Sequence, residues 1–330
     1  MVSLPSVSII IPARNAENTL EKCLTSINKL NYAPDKAEII LINDGSTDGT
    51  KKVMQNFITT SKFPSKYLET NSVGAPCARN IGLKDAKGQY VAFTDADCVV
   101  ENDWLLALIR NFNGNETASV GGPNITPEDD TDFAKSVGAV LTFLSKPGSR
   151  YASIPDKPME IFHNPSCNVI YRKDVIDMLG GFNENMVNCE DEELDYRIRD
   201  KGLKIFYVPD AKVYHYRRPT WKRFAKMAYS YAVGRAQAIK LHRQMGKWFH
   251  YVPSAVISAA LLLLVLSFFD KIFLLLTLLL LLLGGAGIGI MGSLLNFKTG
   301  KRRLLVYCTL IAIWFLGYGL GMLRGAFTSR

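Results

Sequence analysis

The sequence predicts an α/β protein: a mainly parallel mixed sheet with helices on both faces, continued by C-terminal transmembrane helices. Three observations carry that prediction. Short β-branched runs alternate with helix-periodic segments over about the first hundred residues, the alternation that builds a parallel sheet. Polar and acidic residues gather at the ends of those runs, at Pro12–Asn15, Asn43–Asp44 and Asp95–Asp97, where such sheets bind ligands. Three apolar stretches, 252–269, 272–292 and 304–323, each approach the ~20 residues that cross a bilayer.

Taken in order, "VSIIIPA" (7–13) reads as the first strand. "ENTLEKCLTSINKL" follows as a helix with Leu20, Cys23, Leu24 and Ile27 at helical spacing. "AEIILIND" (37–44) is the second strand, "TDGTKKVMQNFIT" the second helix, and "QYVAFTDAD" (89–97) a third strand with an acidic end. From about 130 to 218 the pattern is less regular. The strand "CNVIYRK", the turn "GGFNEN", the acid-rich "NCEDEELDYR" and the strand pair "KIFYVPDAKVYHY" read as the acceptor half of the same domain. The expected organisation is one domain over 1–218, basic amphipathic interfacial helices over 219–250, and a transmembrane domain of about three spans over 251–330.

The formal net charge of +9 conceals a division. Residues 1–218 hold 25 Lys/Arg against 29 Asp/Glu, whereas residues 219–330 hold 14 Lys/Arg and a single acid, Asp270. The basicity belongs to the C-terminal third. No zinc-finger spacing or basic-aromatic signature accompanies it, so no nucleic-acid partner is expected. Six scattered cysteines with no CxxC pair fit a reducing compartment and outline neither a disulfide framework nor a metal cluster. The N-terminus has no basic n-region or cleavage site, and reads as a strand rather than a signal peptide.

On a helix over 220–243, Trp221, Phe224, Ala225, Ala228, Tyr231, Ala232, Ala236 and Ile239 share a face, with Lys222, Arg223, Lys226 and Lys240 mainly opposite. Such a helix either lies in the headgroup region of an anionic membrane or packs on its own domain; Gly234 weakens it as one unbroken helix. Only Asp270 and Lys271 separate the first two apolar stretches, which form a helical hairpin or one span plus a re-entrant piece. Basic residues before the first span, and Lys298, Lys301, Arg302 and Arg303 in a later loop, place both segments in the cytoplasm. The expected location is the cell membrane, multi-pass, with the N-terminal domain on the cytoplasmic face and membrane lipids as partners.

Chemistry concentrates in a few motifs. In "TDADC" (94–98), Asp95 and Asp97 alternate along a strand and point the same way. Neighbouring carboxylates repel unless a cation joins them, and Mg2+ or Mn2+ binds through one or two carboxylates plus substrate phosphates; the plain alternative is a solvated loop start. Asp44, in "INDGSTDGT" (42–50), either makes an Asx turn that caps the next helix or accepts from a base N–H or a ribose hydroxyl. Gly74, Arg79 and Asn80 precede the acidic strand, where an arginine can offset diphosphate charge.

Together these motifs resemble glycosyltransferase family 2, the nucleotide-sugar transferases of the GT-A fold. The resemblance is carried by "VSIIIPARN", "LINDGSTDGT", "GAPCARNIGLKDAKGQYVAFTDAD" and "NCEDEELDYRIRDKGLKIFYVPDAKVYH", and covers about residues 5–218. "RRPTWKRFAKMAYSYAVGRAQ" and "FLGYGLGML" are similar to the membrane-anchored, succinoglycan-biosynthesis-type glucosyltransferases of that family. The resemblance implies a GT-A nucleotide-sugar-binding fold, a divalent metal (Mg2+ or Mn2+) and a nucleotide-sugar donor, most often UDP-linked. It implies that Pro12, Ala13, Arg14, Asn15, Asp44, Gly74 and Arg79 contact the nucleotide, Asp95 lies near the ribose, and Asp97 ligates the metal. His215 is similar to a histidine that approaches the diphosphate or metal, and is otherwise a packed strand end. The Gln-x-x-Arg-Trp signature of processive synthases is absent, and "GRAQ" stands in its place, which favours addition of a single sugar. Arg235 falls on the apolar face of its helix, where a charge is costly unless it meets an anion; a lipid headgroup or the diphosphate is the expected contact.

The stretch "NCEDEELDYR" (188–197) holds five acids. Asn188 suits an N-cap, and acids in a first turn are favoured by the helix dipole. At i+4 spacing Glu193 is expected to pair with Arg197 and Asp195 with Arg199, leaving Glu192 to water. Asp191 alone shares the buried face of Leu194 and Ile198. It either closes a capping box with Asn188 or, as the resemblance implies for the "ED" pair, is the general base, with Glu190 as its supporting neighbour. The implied reaction is an inverting transfer in which the base takes the proton of an acceptor hydroxyl. A polyprenyl phosphate acceptor is already anionic, so a base favours a lipid-linked or otherwise membrane-associated saccharide acceptor over a dolichyl-phosphate type of reaction. A non-catalytic, membrane-anchored nucleotide-sugar-binding scaffold is the reading from another class, and intact Asp97 and Asp191 weigh against it.

Overall fold

The computed structural model describes residues 4–145, 157–217 and 220–328, and the domain junction expected at residue 218 lies outside the described residues. In chain order the strands are β1 (Val7–Ala13), β2 (Ala37–Asp44), β3 (Ser65–Thr70), β4 (Tyr90–Thr94), β5 (Cys98–Val100), β6 (Thr117–Gly121), β7 (Asn124–Ile125), β8 (Met159–Glu160), β9 (Asn168–Arg172), β10 (Lys204–Tyr207) and β11 (Val213–His215). The α-helices are α1 (Glu17–Asn28), α2 (Thr50–Thr60), α3 (Ala75–Asp85), α4 (Trp104–Ile109), α5 (Asp132–Leu144), α6 (Lys173–Met178), α7 (Glu190–Asp200), α8 (Trp221–Leu241), α9 (Trp248–Leu266), α10 (Lys271–Thr299) and α11 (Leu304–Phe327). They divide between two compact units. The first holds residues 1–130, 145–184 and 190–217; the second holds 131–144, 185–189 and 218–330.

The first unit is built on an eight-stranded sheet in the order β3-β2-β1-β4-β9-β6-β10-β8. β1 pairs in parallel with β2 and β4, and β2 with β3, while β9 runs antiparallel between β4 and β6. This is the mainly parallel mixed sheet that the alternating pattern predicts. Its central strand is a run of isoleucines because both faces are covered. Ile9 and Ile11 share one buried core with Leu20, Leu24 and Ile27 of α1, and Ile10 shares the other with Ala78 and Leu83 of α3 and with Leu194 and Ile198 of α7. Full burial of each such side chain contributes about 1.5–3 kcal/mol. A smaller sheet, β5-β11-β7, completes the unit.

The expected third strand stops short. β4 ends at Thr94, and residues 95–97 form a turn closed by the Cys98 N–H on the Asp95 carbonyl at 3.0 Å. The chain turns here because Cys98–Val100 leaves the large sheet to pair with β11 in the small one. Asp95 and Asp97 are therefore placed by a turn and not by strand pleating.

In the second unit, α8 runs unbroken through Gly234 and is capped by the Thr220 hydroxyl, which accepts from the Arg223 N–H. Its face carrying Phe224, Ala228, Ala232 and Ala236 is buried, and Ala232 and Ala236 pack with Tyr318 and Met322 of α11. Small residues let the two backbones approach: a Cβ on Gly321 would lie 2.3 Å from the Tyr229 carbonyl oxygen. Gly234 is a contact point rather than a weak spot, since a Cβ there would lie 2.2 Å from the Asn188 carbonyl oxygen. Segment 185–189 rests on this stretch of helix. Gln237 accepts from the Val187 N–H at 3.0 Å, and the Cys189 thiol reaches the Tyr231 carbonyl at 3.5 Å. Gly234→Ala is expected to destabilise the protein by about 3 kcal/mol, the upper end for overpacking, because the obstructing atoms are backbone. Thermal unfolding of the detergent-solubilised protein checks it.

Helix α5 also belongs to the second unit. Arg303 pairs with Asp132 at 2.6 Å and donates to the Ser136 hydroxyl at 3.1 Å, and Phe133 meets Trp221 edge-on at 4.6 Å between ring centroids. Helices α9, α10 and α11 are each long and apolar enough to cross a membrane. Stretch 252–292 forms two separate helices, and the Asp270 carboxylate between them caps α10 by accepting from the Ile272 N–H at 2.9 Å.

Candidate active site

The site is assembled at the carboxyl ends of β1, β2 and β4. The loops after β1 and β2 are tied together: Asn15, at φ +50°, accepts from the Thr47 N–H at 2.8 Å and donates its own N–H to the Ser46 hydroxyl at 3.0 Å. Pro12 and Ala13 close β1, and Arg14 stands exposed beside them. Asp44 is buried, and its carboxylate is tied to the end of β3 and the loop that follows. One oxygen accepts from the Thr70 hydroxyl and the Val73 N–H, both at 2.7 Å, and the other from the Gly74 N–H at 3.0 Å. It orders the loop leading into α3, while the local turn is made by Asn43, which accepts from the Ser46 N–H at 3.2 Å.

Arg79, on α3, is 4% exposed and lies between two carboxylates. One guanidinium nitrogen donates to Glu190 at 2.5 Å and another to Asp95 at 3.0 Å. The arginine expected to offset diphosphate charge thus joins the acidic turn to the first residue of α7. Burial pushes the carboxyls of Asp95 and Glu190 above the usual range, with Arg79 pulling against it. Asn80 supports the neighbourhood through a reciprocal pair of bonds with the Phe182 backbone, each 2.8 Å.

The pairing of β5 with β11 sets His215 opposite Cys98. The imidazole Nε2 then lies 3.3 Å from an Asp97 oxygen. Burial alone would lower the His215 pKa, but the Asp97 charge prevails and raises it to about 10. Its Nδ1 lies 3.3 Å from an Arg217 nitrogen and 3.8 Å from the Cys167 sulfur. The donor atoms of Cys98, Cys167 and His215 all fall within 4.8 Å of one another. No sequence spacing signals that trio, because it comes from β5, β11 and the residue before β9. A carboxylate and an imidazole meeting at this distance fit a divalent ion such as Mn2+ that retains positions for phosphate oxygens, provided Nε2 gives up its proton.

Helix α7 corrects three expectations about the acid run. Glu193 pairs with Arg197 at 2.8 Å as its spacing requires. Asp195 does not pair with Arg199. It has no exposure, and accepts from His163 Nδ1 at 2.9 Å, the Asn164 N–H at 2.8 Å and the Tyr171 hydroxyl at 3.1 Å, while Arg199 donates to the Phe162 carbonyl. Nor does Asp191 alone turn inward, since Glu190, Glu193 and Asp195 are buried as well. The i+4 rule looks only along one helix: it finds Arg197 for Glu193, whereas Glu190, Asp191 and Asp195 are held by groups on other elements. Asp191 accepts from the Ser166 N–H at 3.0 Å and the Glu192 N–H at 2.9 Å. The helix begins at Glu190 and not at an Asn188 cap. His163, Asn164, Ser166 and Tyr171 escaped the sequence reading; the polar cluster in "FHNPSCN" was the available signal for the first three, and Tyr171 is hidden in the strand that follows. Arg235 belongs to the second unit, where it is buried with its guanidinium 5.7 Å above the Tyr231 ring.

Fold and site together define a class, the α/β proteins in which acidic turns gather at the carboxyl ends of parallel strands. The chain belongs to glycosyl transferase family 2, whose sequence model matches residues 8–180, and it is a glycosyltransferase with a GT-A fold. It is 27% identical over 240 residues to the glycosyltransferase AglE of Haloferax volcanii, covering 71% of this chain and 74% of that one. It spans only 60% and 61% of two Bacillus subtilis glycosyltransferases that it also matches. Among solved structures it is similar to the mannosyltransferase PcManGT from Pyrobaculum calidifontis in complex with GDP-Man and Mn2+, with a TM-score of 0.67, 20% identity, and 98% and 88% of the two chains covered. It is also similar to Staphylococcus aureus TarS 1–349 in complex with UDP-GlcNAc, with a TM-score of 0.53, 16% identity, and coverage of 97% and 91%.

Proposed function

We propose that the protein is an inverting, metal-dependent transferase that moves a sugar from a nucleoside diphosphate donor, UDP-linked, to a hydroxyl of a lipid-linked saccharide at the cytoplasmic face of the cell membrane. The observation that carries this reading is the link from base to acidic turn: Asp191 follows Glu190, and Glu190 shares Arg79 with Asp95. The oxygen lone pair of the acceptor attacks the anomeric carbon as the bond to the diphosphate breaks, and Asp191 takes the hydroxyl proton. Arg79 keeps the acidic turn and the start of α7 in register. Asp97 and His215 would hold the divalent ion, which when bound would supply positive charge for the leaving diphosphate. The metal and nucleotide-sugar complexes of the structural relatives support a donor of this chemistry. The three membrane-length helices support an acceptor carried in the bilayer, and the basic segments flanking them support the cytoplasmic orientation.

The test is a panel of UDP- and GDP-sugars offered to detergent-solubilised protein with extracted membrane lipids, followed by mass spectrometry of the product. Transfer to a lipid-linked saccharide is expected. Transfer straight to a polyprenyl phosphate would replace the hydroxyl acceptor, and tight nucleotide binding without turnover of any donor would favour a scaffold. Asp97→Asn is expected to lower kcat/KM by about a hundredfold or more and to remove its dependence on added Mn2+, checked by nucleotide release across a metal titration.

A further inference from the structure

Asp191 has a neighbour that the reaction as described leaves unused. His163 lies between β8 and β9 with its side chain 13% exposed. Its Nδ1 is 2.9 Å from Asp195, and its Nε2 is 3.9 Å from the Asp191 oxygen that also accepts from the Ser166 N–H. Asp195 is itself fixed by the Asn164 N–H and the Tyr171 hydroxyl. With Nδ1–H donated to this carboxylate, Nε2 is the nitrogen that faces Asp191. Such catalytic contacts are commonly long before substrate binds.

The geometry points to His163 as the positioning residue that orients Asp191 and relays its proton. This rests on Asp191 being the general base. As the new carbon–oxygen bond forms and the diphosphate leaves with its electron pair, the hydroxyl proton passes to Asp191 and then to Nε2 of neutral His163. The resulting imidazolium sits between two carboxylates, and its partly exposed ring releases the proton to water. The charged groups facing it are Asp191, Asp195 and Glu192, all on α7, with the Tyr171 hydroxyl of β9 on the far oxygen of Asp195. Burial lowers the His163 pKa, but these carboxylates outweigh it and hold it above its ordinary value. An imidazole that already carries the proton cannot take another. The relay therefore operates only as pH rises through that raised pKa.

The experiment is a kcat–pH profile of the full-length, solubilised protein carrying His163→Asn or His163→Gln. Asn keeps a donor near the Nδ1 position for Asp195 and has nothing at Nε2. Gln is the second variant, with an amide that does not titrate. Each is expected to lower kcat about tenfold near pH 8.5 and to lose the rising limb, so that the deficit shrinks towards pH 6 while donor KM holds. A deficit constant with pH, or a kcat within about twofold of the parent throughout, overturns the relay. Asp191→Asn is measured alongside. If it retains full turnover, the base assignment itself fails; if it is inactive while both His163 variants match the parent, only the relay fails.

Discussion

Asparagine in place of Asp191 is expected to reduce sugar transfer by about 10³-fold while leaving nucleotide affinity within about threefold. The side chain keeps its shape and one oxygen, so it can still accept from the Ser166 or the Glu192 N–H that the carboxylate holds. What it loses is the ability to take a proton. Turnover measured by nucleotide release, set beside calorimetric titration of the nucleotide, separates the two effects. Loss of nucleotide binding together with turnover would make Asp191 a structural anchor of α7 and refute its role as a base.

Arg79→Ala is expected to destabilise the fold by about 3–5 kcal/mol, the cost of removing one partner from a buried ion pair. Its guanidinium serves Asp95 and Glu190 at once. Chemical denaturation checks the size of the loss, and its pH dependence has a definite sign. The Glu190 carboxyl is raised by burial even with Arg79 present, and without the arginine it rises further. A carboxyl raised in the folded state binds its proton more tightly there than when unfolded, so stability falls as pH climbs through that range. The variant should therefore come closest to the parent in mildly acidic solution and be weakest at neutral pH and above. Lysine should rescue little, since one ammonium cannot reproduce the fork that spans two carboxylates.

These two residues show how far the sequence could be read. The β1 and β2 strands were legible to the residue because buried parallel strands are continuous apolar runs. β3, "SKYLET", was not, because as the edge strand it buries little and carries a polar sequence. The motifs identified Arg79 and Asp191 as chemistry-bearing, yet not what they touch. Arg79 reads as a cation to offset diphosphate charge, and only the fold reveals the Glu190 carboxylate 111 residues away. Asp195 reads as half of a surface pair with Arg199, because helical spacing is silent about His163 and Tyr171, which arrive from other elements. Local periodicity reports which side of a helix is apolar. It cannot report that a buried polar side has been supplied with partners.

The division of the chain into interleaved units has a practical consequence for anyone preparing this enzyme. Between residues 130 and 218 the polypeptide passes from one unit to the other five times. A gene cut at residue 218 to yield a soluble half would still encode α5 and segment 185–189, but not Arg303, Gly234 or Gln237, on which they rest. The same holds on the ribosome. The polypeptide immediately before the Glu190–Asp191 pair is made dozens of residues before the helix that seats it, so a nascent chain completes its first unit with two segments still waiting for their places.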